Sequence, residues 1–240
     1  CLVGMKLVTD VVEGGQSVYV AADSPTIELP SDQPDVNIRP FMMPLAQEAQ
    51  LYDKKIHLTL DYARLNGLNK ITVNATAPQL GLIASGKAYQ DLAQVLAGLG
   101  LQEGQLGSLG IRVLKIGMVW PLDSEIVREF SQGLDTIIVV EEKRPLIEDQ
   151  VRNILYGTQD APRLVGKTFG APTMDHKRGD VAFPNAGEIN PALVEKVLVR
   201  VAQELCPNNA IAPSAILAPI CFILSDPSSW LLIQLVFQNA

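Results

Sequence analysis

Thiols, imidazoles and excess positive charge are all scarce in this sequence. The three cysteines, Cys1, Cys206 and Cys221, stand at no metal-ligand spacing, and an odd number does not read as a disulfide framework. They also exclude a locally encoded iron–sulfur cluster, which needs about four closely organised thiolates. The two histidines, His57 and His176, lie far apart with no partner motif, so neither a nucleophile–histidine–acid triad nor a zinc site can be assembled around them. A formal charge of −7 leaves no basic stripe able to draw counterions from phosphates, which argues against nucleic acid as a partner. No charged segment followed by an apolar run and a cleavage site opens the chain, so no secretory signal is read; a reducing, cytoplasmic setting follows as the expectation. Because the first residue is Cys1 rather than methionine, the chain is expected to begin inside a longer protein.

What is present is the balance of a folded domain. Apolar residues make up 48% of the 240 and charged residues 19%, far from the signature of disorder. Leu2 to Val12, the turn at Gly14-Gly15 and the β-favouring Ser17 to Val20 read as the end of an upstream domain, residues 1–20. Residues 21–44 carry Pro25, Pro30, Pro34, Pro40 and Pro44 and read as a linker, because proline removes a donor and forbids helix interiors. Leu45 to Asn66 has helical spacing, with a break expected about His57 and a stop at Gly67.

From there short β-branched runs alternate with helical ones. Lys70 to Val73, Leu80 to Ala84, Ile111 to Ile116, Thr136 to Val140 and Arg163 to Val165 read as strands. Lys87 to Leu99, Ser124 to Phe130, Pro145 to Leu155 and Pro191 to Leu205 read as helices, the last capped by Asn190. Strands without polar alternation, separated by helices of about ten residues, are what a parallel sheet covered on both faces requires. The expected fold class is α/β, a doubly wound, mostly parallel sheet with helices on both faces, within a domain at 45–205.

Residues 206–240 break this pattern, since only Asp226 is charged between Cys206 and Ala240. Ile211 to Leu224 falls short of the roughly 20 residues that span a bilayer and is interrupted by Pro213 and Pro219. A membrane anchor is therefore the minority reading, beside a buried continuation of the next domain. A misread or truncated frame is preferred, because the apolar runs hold neither helical nor strand periodicity.

Chemistry in an open α/β sheet gathers beyond the carboxyl ends of the strands, near helix N-termini. Ser85, Gly86 and Lys87 stand at such a place and are the candidate anion site, although a strand-to-helix turn needs small residues anyway and no phosphate-loop motif is present. Glu141, Glu142, Lys143 and Arg144 follow the most apolar strand and are candidates for interdomain contact; the plainer reading is a solvated loop. Trp120, just after another strand, is the aromatic candidate for such a contact. No catalytic, cofactor-binding or metal-binding residue is assigned.

Three blocks in order, Leu82-Ile83-Ala84-Ser85-Gly86-Lys87-Ala88-Tyr89-Gln90-Asp91, Ile111 through Leu122 and Ile138 through Pro145, resemble the indolepyruvate ferredoxin oxidoreductase family, most strongly its long, fused bacterial form. The likeness runs from about residue 1 to about residue 205. It implies that 45–205 is similar to the transketolase C-terminal domain and that Gly4 to Asp10 is similar to the end of a pyrimidine-binding domain. It further implies a parent enzyme that decarboxylates a 2-oxoacid, an indolepyruvate or other arylpyruvate, oxidatively to an acyl-CoA. Thiamine diphosphate, magnesium, iron–sulfur clusters, ferredoxin, coenzyme A and the thiamine-binding domains of the same polypeptide are the implied cofactors and partners, with a homo-oligomer as the assembly. The family's cofactor-holding glutamate would lie upstream and its diphosphate motif downstream, so the fragment alone is expected to bind no cofactor and to be inactive. Two other readings stand beside it: a free-standing doubly wound module binding a small anion or nucleotide, and a membrane-anchored interaction protein.

Overall fold

The computed structural model describes residues 26–31, 36, 41–101, 103–170 and 180–205. The upstream segment 1–20, the tail 206–240, all three cysteines and His176 lie outside them; of the linker 21–44, only 26–31, 36 and 41–44 are described, and of these only Pro44, which opens a helix, lies in helix or strand.

Five strands form one sheet: β1 (Lys70–Val73), β2 (Leu80–Ser85), β3 (Ile111–Ile116), β4 (Thr136–Val140) and β5 (Arg163–Val165), in the order β1-β3-β2-β4-β5. β2 pairs in parallel with β3 from Leu80↔Ile111 to Ser85↔Ile116 and with β4 from Leu80↔Thr136 to Ala84↔Val140, while β5 adds to β4 in parallel. This is the mostly parallel α/β sheet that the strand composition predicts. β1 alone runs antiparallel, on β3, with its register broken between Ile71 and Val73. The connection from β1 to β2 is too short for the dozen or more residues that a parallel crossover needs, which leaves β1 an antiparallel edge.

The crossovers are helical. α1 (Pro44–Gln50), a π-helical turn (Leu51–Lys55) and α2 (Ile56–Leu65) precede the sheet; α3 (Gly86–Gly98) and a short α4 (Glu103–Ser108) link β2 to β3; α5 (Ser124–Ser131) links β3 to β4; α6 (Leu146–Leu155) links β4 to β5; α7 (Pro191–Leu205) closes the chain described. The expected break about His57 is not there. No glycine or proline interrupts Leu45 to Leu65, and the helix runs through a widened π turn one residue ahead of α2 instead. The sequence reading also missed α4, whose few residues carry too little periodicity to show.

Strand alternation sends Leu82, Ala84, Val113 and Val140 to one face, under Leu92, Val95 and Leu96 of α3 and Val194, Val197 and Val201 of α7. It sends Ile83, Leu114, Ile137 and Val139 to the other, under Val127 and Phe130 of α5 and Ile147 and Val151 of α6. Two cores thus sandwich one sheet. Gly81 is the point where the second core comes closest to the backbone: a Cβ there would meet Leu134 at 2.6 Å and the Phe130 ring at 2.9 Å.

That contact sets a coupled expectation. Phe130→Ala, at a fully buried site, costs about 3–5 kcal/mol, and Gly81→Ala costs about 1–3 kcal/mol by overpacking. Since the lost ring vacates part of the space the new methyl needs, the double variant loses less than the sum, measured by urea unfolding; strict additivity would refute the packing argument.

Candidate functional site

The carboxyl ends of β2, β3, β4 and β5 lie along one edge, and at β2 and β4 the chain departs to opposite sides: by α3 toward β3 and by α6 toward β5. That divergence is the switch point at which ligands enter open α/β sheets. Ser85 caps α3 in extended conformation without a side-chain hydrogen bond, and Gly86 follows at φ +50°, where an L side chain would be strained.

Lys87, however, is fully engaged. Its ammonium donates to Asp91 Oδ2 at 2.9 Å and to the Ile189 carbonyl at 2.6 Å, pairs with Glu188 at 2.9 Å and lies 3.8 Å from Glu142. Burial by itself would lower its pKa, but hydrogen bonds to Glu188 and Asp91 lift it above the ordinary lysine value. One cation among three carboxylates makes the local field negative. The segment that supplies Glu188 and Ile189 is also held from the β4 loop: the Ile189 amide donates to Glu142 Oε1 at 3.0 Å, and Lys143 Nζ donates to the Gly187 carbonyl at 2.9 Å.

A second set of ties lies beside it. Glu141 turns its carboxylate onto the start of α6, accepting from the Ile147 amide at 2.8 and 2.9 Å and from the Glu148 amide at 3.2 Å. Burial raises its pKa, against the pull of those amides. Glu148 is 1% exposed and accepts from the Lys167 amide at 2.8 Å and from Arg152 at 2.8 Å. It occupies the space beside Gly166 that any Cβ would need. The Lys167 side chain, also 1% exposed, returns its ammonium to the carbonyls of Glu141 and Pro184, and burial lowers its pKa. Neither Glu148 nor Lys167 was singled out from the sequence, because buried charges leave no periodic signal.

Trp120 is 55% exposed, beside a cis peptide bond to Pro121. Gln150 on α6 holds this corner: its Oε1 accepts from the Leu122 amide at 2.9 Å, and its Nε2 donates to the carbonyls of Val119 and Leu146, each at 2.8 Å. Val119, Trp120 and Leu146 therefore present one exposed apolar corner. Arg144, in the loop leading into α6, is exposed and has no ion-pair partner among the described residues. Of the predicted contact residues, then, Glu141 and Glu142 face inward onto backbone amides, Lys143 ties the 180–189 segment, and Trp120 and Arg144 face solvent.

Asp123 caps α5 through the Glu125 amide at 3.0 Å and takes a two-pronged bond from Arg64 of α2 at 2.8 and 2.9 Å. His57 lines a broad groove between α2 and residues 29–31. Among the described residues no group of three or more His, Cys, Asp or Glu is arranged to hold a metal ion, and no helix is long and apolar enough to cross a membrane.

A doubly wound α/β domain with its switch point filled by its own side chains is the class that this geometry defines. The model of the indolepyruvate oxidoreductase domain matches residues 70–215, and the chain belongs to that family. Curated relatives include the indolepyruvate oxidoreductase subunit IorA of Methanothermobacter thermautotrophicus, 34% identical over 84 residues, which are 35% of this chain and 12% of that one. The IorA subunit of Pyrococcus abyssi is 34% identical over 74 residues, 31% of this chain and 10% of that one. The matched part is thus about a tenth of each relative's length. Among solved structures, a split-gene transketolase described as an inactive beta4 tetramer covers 56% of this chain and 41% of its own at 12% identity and a TM-score of 0.37. A 2-oxoglutarate:ferredoxin oxidoreductase from Magnetococcus marinus, with 2-oxoglutarate, coenzyme A and succinyl-CoA bound, covers 69% and 24% at 15% identity and the same TM-score. The fold class rests on the strand pairing above, not on these two likenesses.

The Arg64–Asp123 pair generates a pH expectation. Hydrogen bonding from Arg64 holds the Asp123 carboxyl below the usual carboxylate range in the folded chain. The stability it supplies is present above the unfolded carboxyl value of about 4 and is lost as pH falls through the lower folded value. Asp123→Asn keeps a helix-capping acceptor but forfeits the ion pair, so its unfolding free energy falls less steeply than that of the parent below about pH 4. Parallel acid titrations would expose the error.

Proposed function

We propose that this chain is a piece of a thiamine-diphosphate-dependent 2-oxoacid:ferredoxin oxidoreductase acting on an arylpyruvate, and that 45–205 serves the parent enzyme as a support between its thiamine-binding domains. Family membership over 70–215 supports the parent. The observation that carries the supporting role is the closed switch point: where such folds admit ligands, Lys87 is ringed by Asp91, Glu142 and Glu188.

The implied cofactors fit poorly on the described residues. A diphosphate wants unpaired cations or a metal, and the α3 N-terminus offers a lysine already outnumbered by carboxylates. No described residue is a cysteine, so iron–sulfur ligation has no donors there. No step of the parent chemistry is therefore assigned to these residues. When bound elsewhere in the parent, thiamine diphosphate would supply the carbanion that attacks the keto carbon.

In this reading Trp120, Leu146 and Arg144 meet a neighbouring domain, with ferredoxin and coenzyme A used by the parent in the cytoplasm and the assembly a homo-oligomer. The anion-module alternative needs Lys87 to leave its carboxylates; titration with nucleotides or coenzyme A, followed by Trp120 fluorescence, gives a saturable signal under that alternative and none under ours.

Two results decide the reading. The flanking coding sequence should encode a thiamine-diphosphate-binding domain; its absence on both sides ends the proposal. Within the parent enzyme, Trp120→Ala should weaken domain association by about 2 kcal/mol, as a central interface tryptophan does, while changing the stability of this chain alone by less than about 0.5 kcal/mol, as an exposed residue does. Equal small effects in both settings would sink the contact.

A further inference from the structure

On the face away from α5, a groove of about 460 Å³ opens between β1, β3, the outer side of α3 and α4. Its volume falls within the range of small-ligand pockets. Val73, Leu92, Leu96, Leu106 and Val113 form an apolar floor, and all are buried. Its polar groups sit together: Tyr89 donates to Thr72 Oγ1 at 3.4 Å. Above the Tyr89 ring, 4.9 Å from its centre, lies the Lys115 ammonium, and Lys70 is its cross-strand neighbour. Neither lysine has a carboxylate partner among the described residues. Several other cations are tied to carboxylates, at Lys87, Arg64, Arg152 and Arg163, whereas Arg144, far along the chain, has no such partner among the described residues. A groove that is apolar along its floor, carries the hydroxyls of Tyr89 and Thr72 at one end and has the Lys115 ammonium just outside that end, over the Tyr89 ring, is complementary to an amphiphilic anion.

We infer that this groove binds a small monocarboxylate, with its apolar body on Leu92, Leu96 and Val113 and its carboxylate toward Tyr89 and Lys115. The shape accepts an alkyl or an aryl body, and charge complementarity fixes the head group. This site is independent of the closed switch point and of the support role, so either can fail without the other.

The test is calorimetric titration of the full chain with octanoate, phenylpropionate and octanol. Saturable binding of at least one acid is expected, the stronger of the two identifying the body as alkyl or aryl, with octanol weaker than octanoate. Lys115→Met should weaken the acid by about five-fold, the effect of one partly exposed ion pair. Ala97→Phe, at an exposed position on the groove wall, should abolish binding while leaving the unfolding midpoint near that of the parent. The inference is overturned if neither acid saturates, or if either variant binds as the parent does. It is equally overturned if sedimentation shows a mass that rises with concentration and drops in Ala97→Phe without acid binding, because the groove would then bury a second copy of the chain.

Discussion

Parallel pairing of β2 on both of its edges is the constraint from which the rest follows. Leu80–Ser85 has partners in register on each side, and each parallel neighbour must be reached by a crossover running back along the sheet. One crossover turns toward β3 and the next returns past β2 to β4, so helices cover both faces and the strand must be apolar throughout. The same handover brings every strand-to-helix loop of the parallel set to one edge. Two cores, a switch point and a crowded carboxyl edge are one consequence in three places.

At that edge the chain resolves a conflict between burial and charge. Glu148 and Lys167 are each 1% exposed, and a buried charge is tolerated only when its hydrogen bonds are met. Glu148 meets them through Arg152 and the Lys167 amide; Lys167 meets them through carbonyls of the β4 loop and of Pro184. The Lys167 ties join the loop after β5 to α6, to the β4 loop and to Pro184, while the Arg152 tie lies within α6, and removing one partner strands a charge instead of merely loosening a contact.

The strands and long helices were legible because each depends on neighbours a few residues away. Leu92, Val95, Leu96 and Leu99 announce the buried side of α3, and Thr136–Val140 announces a strand covered on both faces. Asn190 was legible as a cap and does accept from the Leu193 amide at 3.0 Å. What escaped were relations across the chain. Glu188 and Ile189 lie about a hundred residues from Lys87, and nothing local in either segment shows that one will neutralise the other. Gln150 escaped for the same reason: a glutamine on an exposed helix surface is ordinary until two carbonyls are found within 2.8 Å of it. The antiparallel course of β1 was legible only in hindsight, from the shortness of its link to β2.

The proposed supporting role has a physical logic. An open crevice at the switch point would expose Lys87 and its carboxylates to competing anions and water, whereas the 180–189 segment, pinned by Glu142 and Lys143, holds them in fixed geometry. The corner of Val119, Trp120 and Leu146 is a preorganised surface, since Gln150 ties its backbone from both sides. Preorganisation lowers the ordering cost of association, so even a modest apolar corner can contribute appreciably to domain contact. The closed crevice and the exposed tryptophan are held by separate sets of hydrogen bonds, those of Lys87 and Glu142 in one and those of Gln150 in the other, on loops that leave the same carboxyl edge of the sheet.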